Sequence, residues 1–196
     1  MSIKGIDNFL KSRIKDWSKR DEYVNKTAWA IPSKEAIQSI SQFAGKETIL
    51  EIGAGLGYWA MLIIKKGGKI IATDSKKSNW KHNANPPYVP IIKMNHKKAL
   101  KTFTNASVLF LCWPPYDTPM AYESLEGFQG NKLIYIGEGD GGCNGTDEFF
   151  QLLNEHWKEI KTVNIKQWYG IHDRLFLYER VPVVPLTRSL IFERRK

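Results

Sequence analysis

The segment Thr48-Ile-Leu-Glu51-Ile-Gly53-Ala-Gly55-Leu-Gly57 constrains the fold of this chain more than any other. A short apolar run enters a turn with glycine at alternate positions, and Tyr58–Lys66 then reads as a helix stopped by Gly67-Gly68. Glycine lacks Cβ and accepts positive φ, so the turn can be tight and a ligand can approach its backbone. Lys69–Thr73 reads as a second strand, ending at Asp74. A strand, turn, helix and strand in this order make a right-handed crossover with parallel strands. In a doubly wound sheet, the carboxyl end of the first strand borders the crevice where ligands bind. Asp74 lies 21 residues after Gly53, where a carboxylate can accept both ribose hydroxyls of an adenosine. The dinucleotide fingerprint requires glycine at its first, third and sixth positions. Here the sixth position is Tyr58, and glycine stands at the fifth. The P-loop pattern also fails, because the turn contains no Gly-Lys-Ser/Thr.

The alternation continues along the chain. Val89–Met94, Ala106–Cys112 and Lys132–Ile136 read as the third, fourth and fifth strands, with a helix at Met120–Phe128. Thr146 is a suitable cap for a helix running through Trp157. Two strands, near Lys161–Trp168 and Leu175–Arg180, close the pattern with Tyr169–Arg174 as their hairpin connection. The expectation is an α/β fold: a doubly wound, mostly parallel seven-stranded sheet with a final antiparallel hairpin strand and helices on both faces. Residues 1–45 are expected to form an N-terminal helical cap, 46–180 the core and 181–196 a basic tail, all in one folded unit. In the cap, Ile6, Phe9, Leu10, Ile14 and Trp17 recur at helical spacing. Ser33 precedes a second helix that buries Ile37, Ile40 and Phe43. A length of 196 residues with 42% hydrophobic content is enough for a single core. The longest strongly apolar run, Val108–Trp113, is far too short to span a membrane, and Met1–Leu10 lacks a secretory pattern. Two cysteines, Cys112 and Cys143, make neither a disulfide framework nor a zinc site. A cytoplasmic or other reducing compartment, and no metal, are therefore expected.

Glu51 followed by Gly53, Gly55 and Gly57 resembles motif I of the class I S-adenosylmethionine-dependent methyltransferases. That resemblance covers roughly residues 46–180 in element order. It implies S-adenosyl-L-methionine as cofactor, with Glu51 and the backbone of Gly53, Ala54, Gly55 and Gly57 near its amino-acid end. It puts Asp74 on the ribose, and the next strand end, Asn95 and His96, beside the adenine. Cys112-Trp113-Pro114-Pro115-Tyr116 resembles motif IV of the amino-methyltransferases, written Asp/Asn/Ser-Pro-Pro-Tyr/Phe/Trp. In that family the first side chain and the proline carbonyl hold the target amine, and the aromatic residue stacks on its planar face. This chain departs at the first position, because the Trp113 indole donates a hydrogen bond but accepts none. Pro114's carbonyl remains as an acceptor, Tyr116 remains to stack, and Trp113 can wall the site or favour a sulfonium by cation–π attraction. A cytosine-type covalent role for Cys112 does not fit, because the cysteine precedes the tryptophan instead of following the proline. The resemblance implies transfer of a methyl group to an amine or other heteroatom of a planar acceptor.

Gly137–Gly145, with five glycines in nine residues, would face the substrate side and present Glu138 and Asp140. His172, in the final hairpin, is a candidate general base. Tyr23 and Trp29–Pro32 serve either to cover the cofactor or to fill the core. The chain carries 29 Lys+Arg against 20 Asp+Glu, and residues 61–110 alone hold ten lysines and one acid. Such a surface attracts polyanions, so RNA or DNA is a candidate partner through this segment. Against that, 22 of the basic residues are lysine and seven arginine, and arginine is the better bidentate phosphate ligand. Two further readings stay open: a methyltransferase-fold subunit that binds nucleic acid with little catalysis, and a small-molecule methyltransferase with merely solvated lysines.

Overall fold

β1 (Thr48–Ile52) runs through the interior of the sheet, with Ile49, Leu50, Glu51 and Ile52 all buried. The computed structural model describes residues 17–75 and 85–182. The stripe from Ile6 to Ile14, Lys76, Lys77, Lys81 and nearly all of the basic tail lie outside them. The other strands are β2 (Lys69–Asp74), β3 (Ile92–Lys93), β4 (Val108–Cys112), β5 (Lys132–Gly137), β6 (Trp157–Asn164) and β7 (Arg174–Arg180). The order across the sheet is β3-β2-β1-β4-β5-β7-β6. The first five strands are parallel, and β7 enters antiparallel to both β5 and β6. This is the Rossmann-like α/β arrangement the sequence predicts. The chain steps outward from β1 to β3 and then returns to lay β4 on the other side of β1. The carboxyl ends of β1 and β4 flank the point where the direction reverses, which in sheets of this kind is where the ligand crevice forms.

Alternate strand residues feed two cores. Ile49, Val108, Phe110, Ile134 and Ile136 pack on one face with α2 (Lys34–Ala44) and α3 (Tyr58–Ile64). Leu50, Leu109, Leu111, Leu133 and Tyr135 pack on the other with α4 (His96–Thr102), α5 (Met120–Gly127) and α6 (Asp147–His156). α1 (Trp17–Lys26) contributes Tyr23 and Val24 to the first core. Ser33 caps α2 by accepting from the Ala36 N–H at 3.0 Å. Thr146 caps α6 by accepting from the Phe149 N–H at 3.4 Å.

Two elements differ from expectation. β3 is two residues long instead of spanning Val89–Met94. Pro90 has no N–H to give to a ladder, and β2 ends at Asp74, the partner of Lys93. β6 starts at Trp157, directly after α6, and not at Lys161. The apolar residues that suggested a strand to 168, Ile165 and Trp168, are buried from a loop. The connection between the last two strands is thus residues 165–173, longer than Tyr169–Arg174. Among the described residues no helix is long and apolar enough to cross a membrane.

Candidate active site

The glycine turn leaves β1 with Gly53, Gly55 and Gly57 at φ of 79°, 55° and 70°. At Gly57 the requirement is also one of space: a Cβ there would meet Val89 Cγ2 at 2.6 Å and Ile91 Cδ1 at 2.8 Å. The turn is tied to β2 by the N–H groups of Gly53 and Ala54, which both donate to the Thr73 carbonyl at 3.0 Å. Asp74 reaches back across the crevice and accepts the Gly55 N–H at 2.9 Å. Glu51 is buried, and its Oε2 has no hydrogen-bond partner among the described residues. Burial, aided by the charge of Asp74, pushes its carboxyl up to about 8. A buried acid with an orphaned oxygen is suited to receive a cationic or hydrogen-bond-donating group. At the end of β3, Asn95 Oδ1 accepts the Lys98 N–H at 2.9 Å as the cap of α4. His96 Nε2 lies 2.6 Å from Glu123.

The turn after β4 takes a form the sequence does not suggest. Trp113 has φ 53°, a left-handed conformation that costs a non-glycine residue about 1–3 kcal/mol. Its N–H donates to the Ile136 carbonyl at 2.8 Å. Its indole Nε1–H donates to Asp173 Oδ1 at 2.8 Å, and its ring stacks on Trp29 at 5.0 Å. The Pro114 carbonyl, expected to be free, instead accepts the Gly145 N–H at 3.1 Å, and Pro115 bridges to Asn144. Both amine-holding limbs of the motif are therefore altered here: the first side chain is a donor, and the proline carbonyl already accepts one hydrogen bond. Tyr116 is 66% exposed and flanks an open groove of about 410 Å³ with Thr118, Pro119 and Tyr122.

The loop after β5 brings together two residues singled out separately in the sequence. Glu138 Oε1 accepts the backbone N–H of His172 at 2.8 Å and faces its Nδ1 at 3.3 Å. Glu138 Oε2 accepts the Cys143 N–H at 2.9 Å. Burial works against the charge of Glu138, but these N–H donors outweigh it and hold the carboxyl below its ordinary value. The His172 side chain is 79% exposed. Asp173 is fully buried, and burial pushes its carboxyl up to about 7. Burial likewise raises Cys112, which stays a thiol in the core.

One group escaped the sequence reading entirely. Arg20, on α1, lays its guanidinium over the rings of Trp17, Trp29 and Trp113, at 5.0, 4.8 and 5.3 Å. The signal available was the three-residue spacing of Trp17 and Arg20, which puts both on one helix face.

No family model matches the chain, and no curated protein matches it by sequence. Solved structures do match it by shape. One is the Burkholderia thailandensis 1,6-didemethyltoxoflavin-N1-methyltransferase with bound 1,6-didemethyltoxoflavin and S-adenosylhomocysteine, at 14% identity and TM-score 0.52, covering 76% of this chain and 78% of that one. A second is Streptococcus pneumoniae Sp1610, a candidate tRNA (m1A22) methyltransferase in complex with S-adenosyl-L-methionine, at 11% identity and TM-score 0.53, covering 81% and 77%. A third is the Bacillus cereus O-methyltransferase in complex with S-adenosylhomocysteine, at 13% identity and TM-score 0.53, covering 91% and 100%. The chain thus shares the Rossmann-like fold of proteins that include many class I S-adenosylmethionine-dependent methyltransferases.

Proposed function

We propose that this chain is an S-adenosylmethionine-dependent methyltransferase that acts on a heteroatom of a planar acceptor. The observation that carries the reading is Asp74, which closes the end of β2 over the glycine turn at the reversal point of the sheet. The residues present fit the cofactor. Asp74 would take the ribose hydroxyls, the Gly53–Gly57 backbone would lie along the amino-acid end, and Asn95 and His96 would border the adenine. Glu51's orphaned oxygen would face a cationic group. The cofactor supplies a methyl group already activated on a sulfonium.

The chain's own contribution is positioning and proton handling. With Nδ1–H donated to Glu138, His172 presents Nε2 outward as the lone pair that takes the acceptor's proton. Tyr116 supplies an exposed ring for stacking. Trp113, a donor where the motif has an acceptor, favours an acceptor atom activated by this histidine over an amine held between two acceptors. Nucleic acid is one acceptor class in keeping with the charge of the chain and with the candidate tRNA methyltransferase of the same fold. Titration calorimetry with S-adenosylhomocysteine tests the reading. The wild-type chain is expected to bind, and Asp74→Ala to weaken binding by about tenfold or more. Absence of binding to the wild type refutes it.

A further inference from the structure

The groove of about 410 Å³ beside Tyr116 adjoins a second of about 360 Å³, and Tyr116, Thr146 and Glu148 line both. Tyr116, Pro119 and Tyr122 give the first an aromatic and apolar wall, while Gly142 and Gly145 line the second. The Gly145 tie to Pro114 and the Asn144 bridge to Pro115 lock the two banks to each other, so the groove is formed before any partner arrives. The charged residues lining it are Asp117, Asp147 and Glu148, with no lysine, arginine or histidine among the described residues that line it. This reverses the balance of a chain with 29 Lys+Arg against 20 Asp+Glu. Among the described residues, none of the three carboxylates pairs with a cation. The Thr146 hydroxyl holds the Glu148 carboxyl below its ordinary value, which keeps it charged. Thr118 lines the groove too, and its buried hydroxyl has no hydrogen-bond partner among the described residues. An exposed aromatic wall rimmed by unpaired polar groups marks an interaction site.

We infer that this groove seats an arginine side chain presented by an extended basic segment of another protein. A guanidinium is flat, stacks on an aromatic face and pairs with carboxylates through a fork of donors. Tyr116 supplies the face, and Asp117, Glu148 and the Thr118 hydroxyl supply acceptors on the surrounding walls. A groove open to solvent suits a side chain whose main chain continues outside it. The second recess, with Asp147 and Glu148, lies where a neighbouring basic residue of the same segment falls. A phosphate backbone would meet only like charge here. The inference goes beyond the methyltransferase reading, because it names a partner for the Pro-Pro-Tyr turn whether or not a cofactor is bound.

The test follows the fluorescence anisotropy of a labelled Gly-Gly-Arg-Gly-Arg-Gly-Gly peptide with the whole chain at low salt. Two relatives of the peptide carry citrulline or lysine in place of arginine. Citrulline keeps the plane and loses the charge, and lysine does the reverse. The citrulline peptide is expected to bind about tenfold more weakly and the lysine peptide about threefold. Asp147→Asn with Glu148→Gln should cost about fivefold, and Tyr116→Ala about threefold. Glu35 and Glu155 are exposed and do not line the groove. The control pair Glu35→Gln and Glu155→Gln removes the same charge and should cost less than about twofold. Equal binding of the arginine and citrulline peptides to the wild-type chain overturns the inference, and this comparison needs no variant. So does a lysine peptide that binds as tightly as the arginine one, or a control pair that costs as much as the groove pair. Labelled single-stranded RNA that loses affinity with Tyr116→Ala would put nucleic acid in the groove and also overturn it. S-adenosylhomocysteine binding, measured separately, keeps the two readings apart. A chain that binds it but not the arginine peptide refutes this inference only. One that binds the peptide but not S-adenosylhomocysteine supports the groove and refutes the methyltransferase reading.

Discussion

Glu51 carries the sharpest residue-level consequence. Its carboxyl is pushed up to about 8 in the folded chain, by burial first and the Asp74 charge second, from an ordinary 4.5. The folded state therefore holds a proton that the unfolded state releases. The stability this provides is fully present below 4.5 and is lost as pH rises through about 8. Asp173, pushed up to about 7 from 3.8, acts in the same direction over a slightly lower window. Thermal melts of the ligand-free chain should fall in midpoint across this range. Glu51→Gln should flatten part of the fall, and adding Asp173→Asn should flatten most of the rest. An unchanged pH profile in the double variant would assign the dependence to other groups. The Trp113 side chain shows why residue type alone misleads: the sequence offers it as a wall or sulfonium neighbour, whereas its indole hydrogen is spent on a carboxylate 60 positions away.

At the scale of elements, local chemistry sets the helix starts. Ser33 and Thr146 each cap a helix, with bonds of 3.0 and 3.4 Å. Ser33→Ala is expected to cost about 1 kcal/mol, and Thr146→Ala less, because its bond is longer. Denaturant midpoints at constant m check the pair. A larger loss at Thr146 would mean that its hydroxyl serves more than the cap. Elements whose signal is local were legible in the sequence: β1 with its glycine turn, β2 ending at Asp74, and both capped helices. β3 and β6 were not, because their limits depend on partners far along the chain. β3 stops where β2 runs out of residues to pair, and β6 begins where Trp157 finds Arg180. The placement of Asp74 across the glycine turn follows from strand length. The convergence of Arg20 and Trp29 with Trp113 and Asp173 does not, since three distant segments supply it.

For the molecule as a whole, the described lysines of the 61–110 stretch fall mainly at two ends of the sheet. Lys65, Lys66 and Lys69 lie at the amino end of β2, away from the crevice, whereas Lys93, Lys97 and Lys98 lie at the carboxyl end of β3 and the start of α4. Lys97 is already paired with Glu123 at 2.8 Å. Of these two groups, an RNA acceptor at the crevice would meet the second. In filter binding at low salt, the pair Lys93→Glu and Lys98→Glu should weaken RNA by about tenfold, against about twofold for Lys65→Glu and Lys66→Glu. Equal losses would place the RNA off the crevice. The tie from Gly145 to the Pro114 carbonyl, with Pro115 bridged to Asn144, has a consequence for how such a chain can diversify. The segments after β4 and β5 are stitched into one unit, so neither can be lengthened, swapped or shortened alone without tearing the seam. A change of acceptor by loop grafting would have to transplant both segments together.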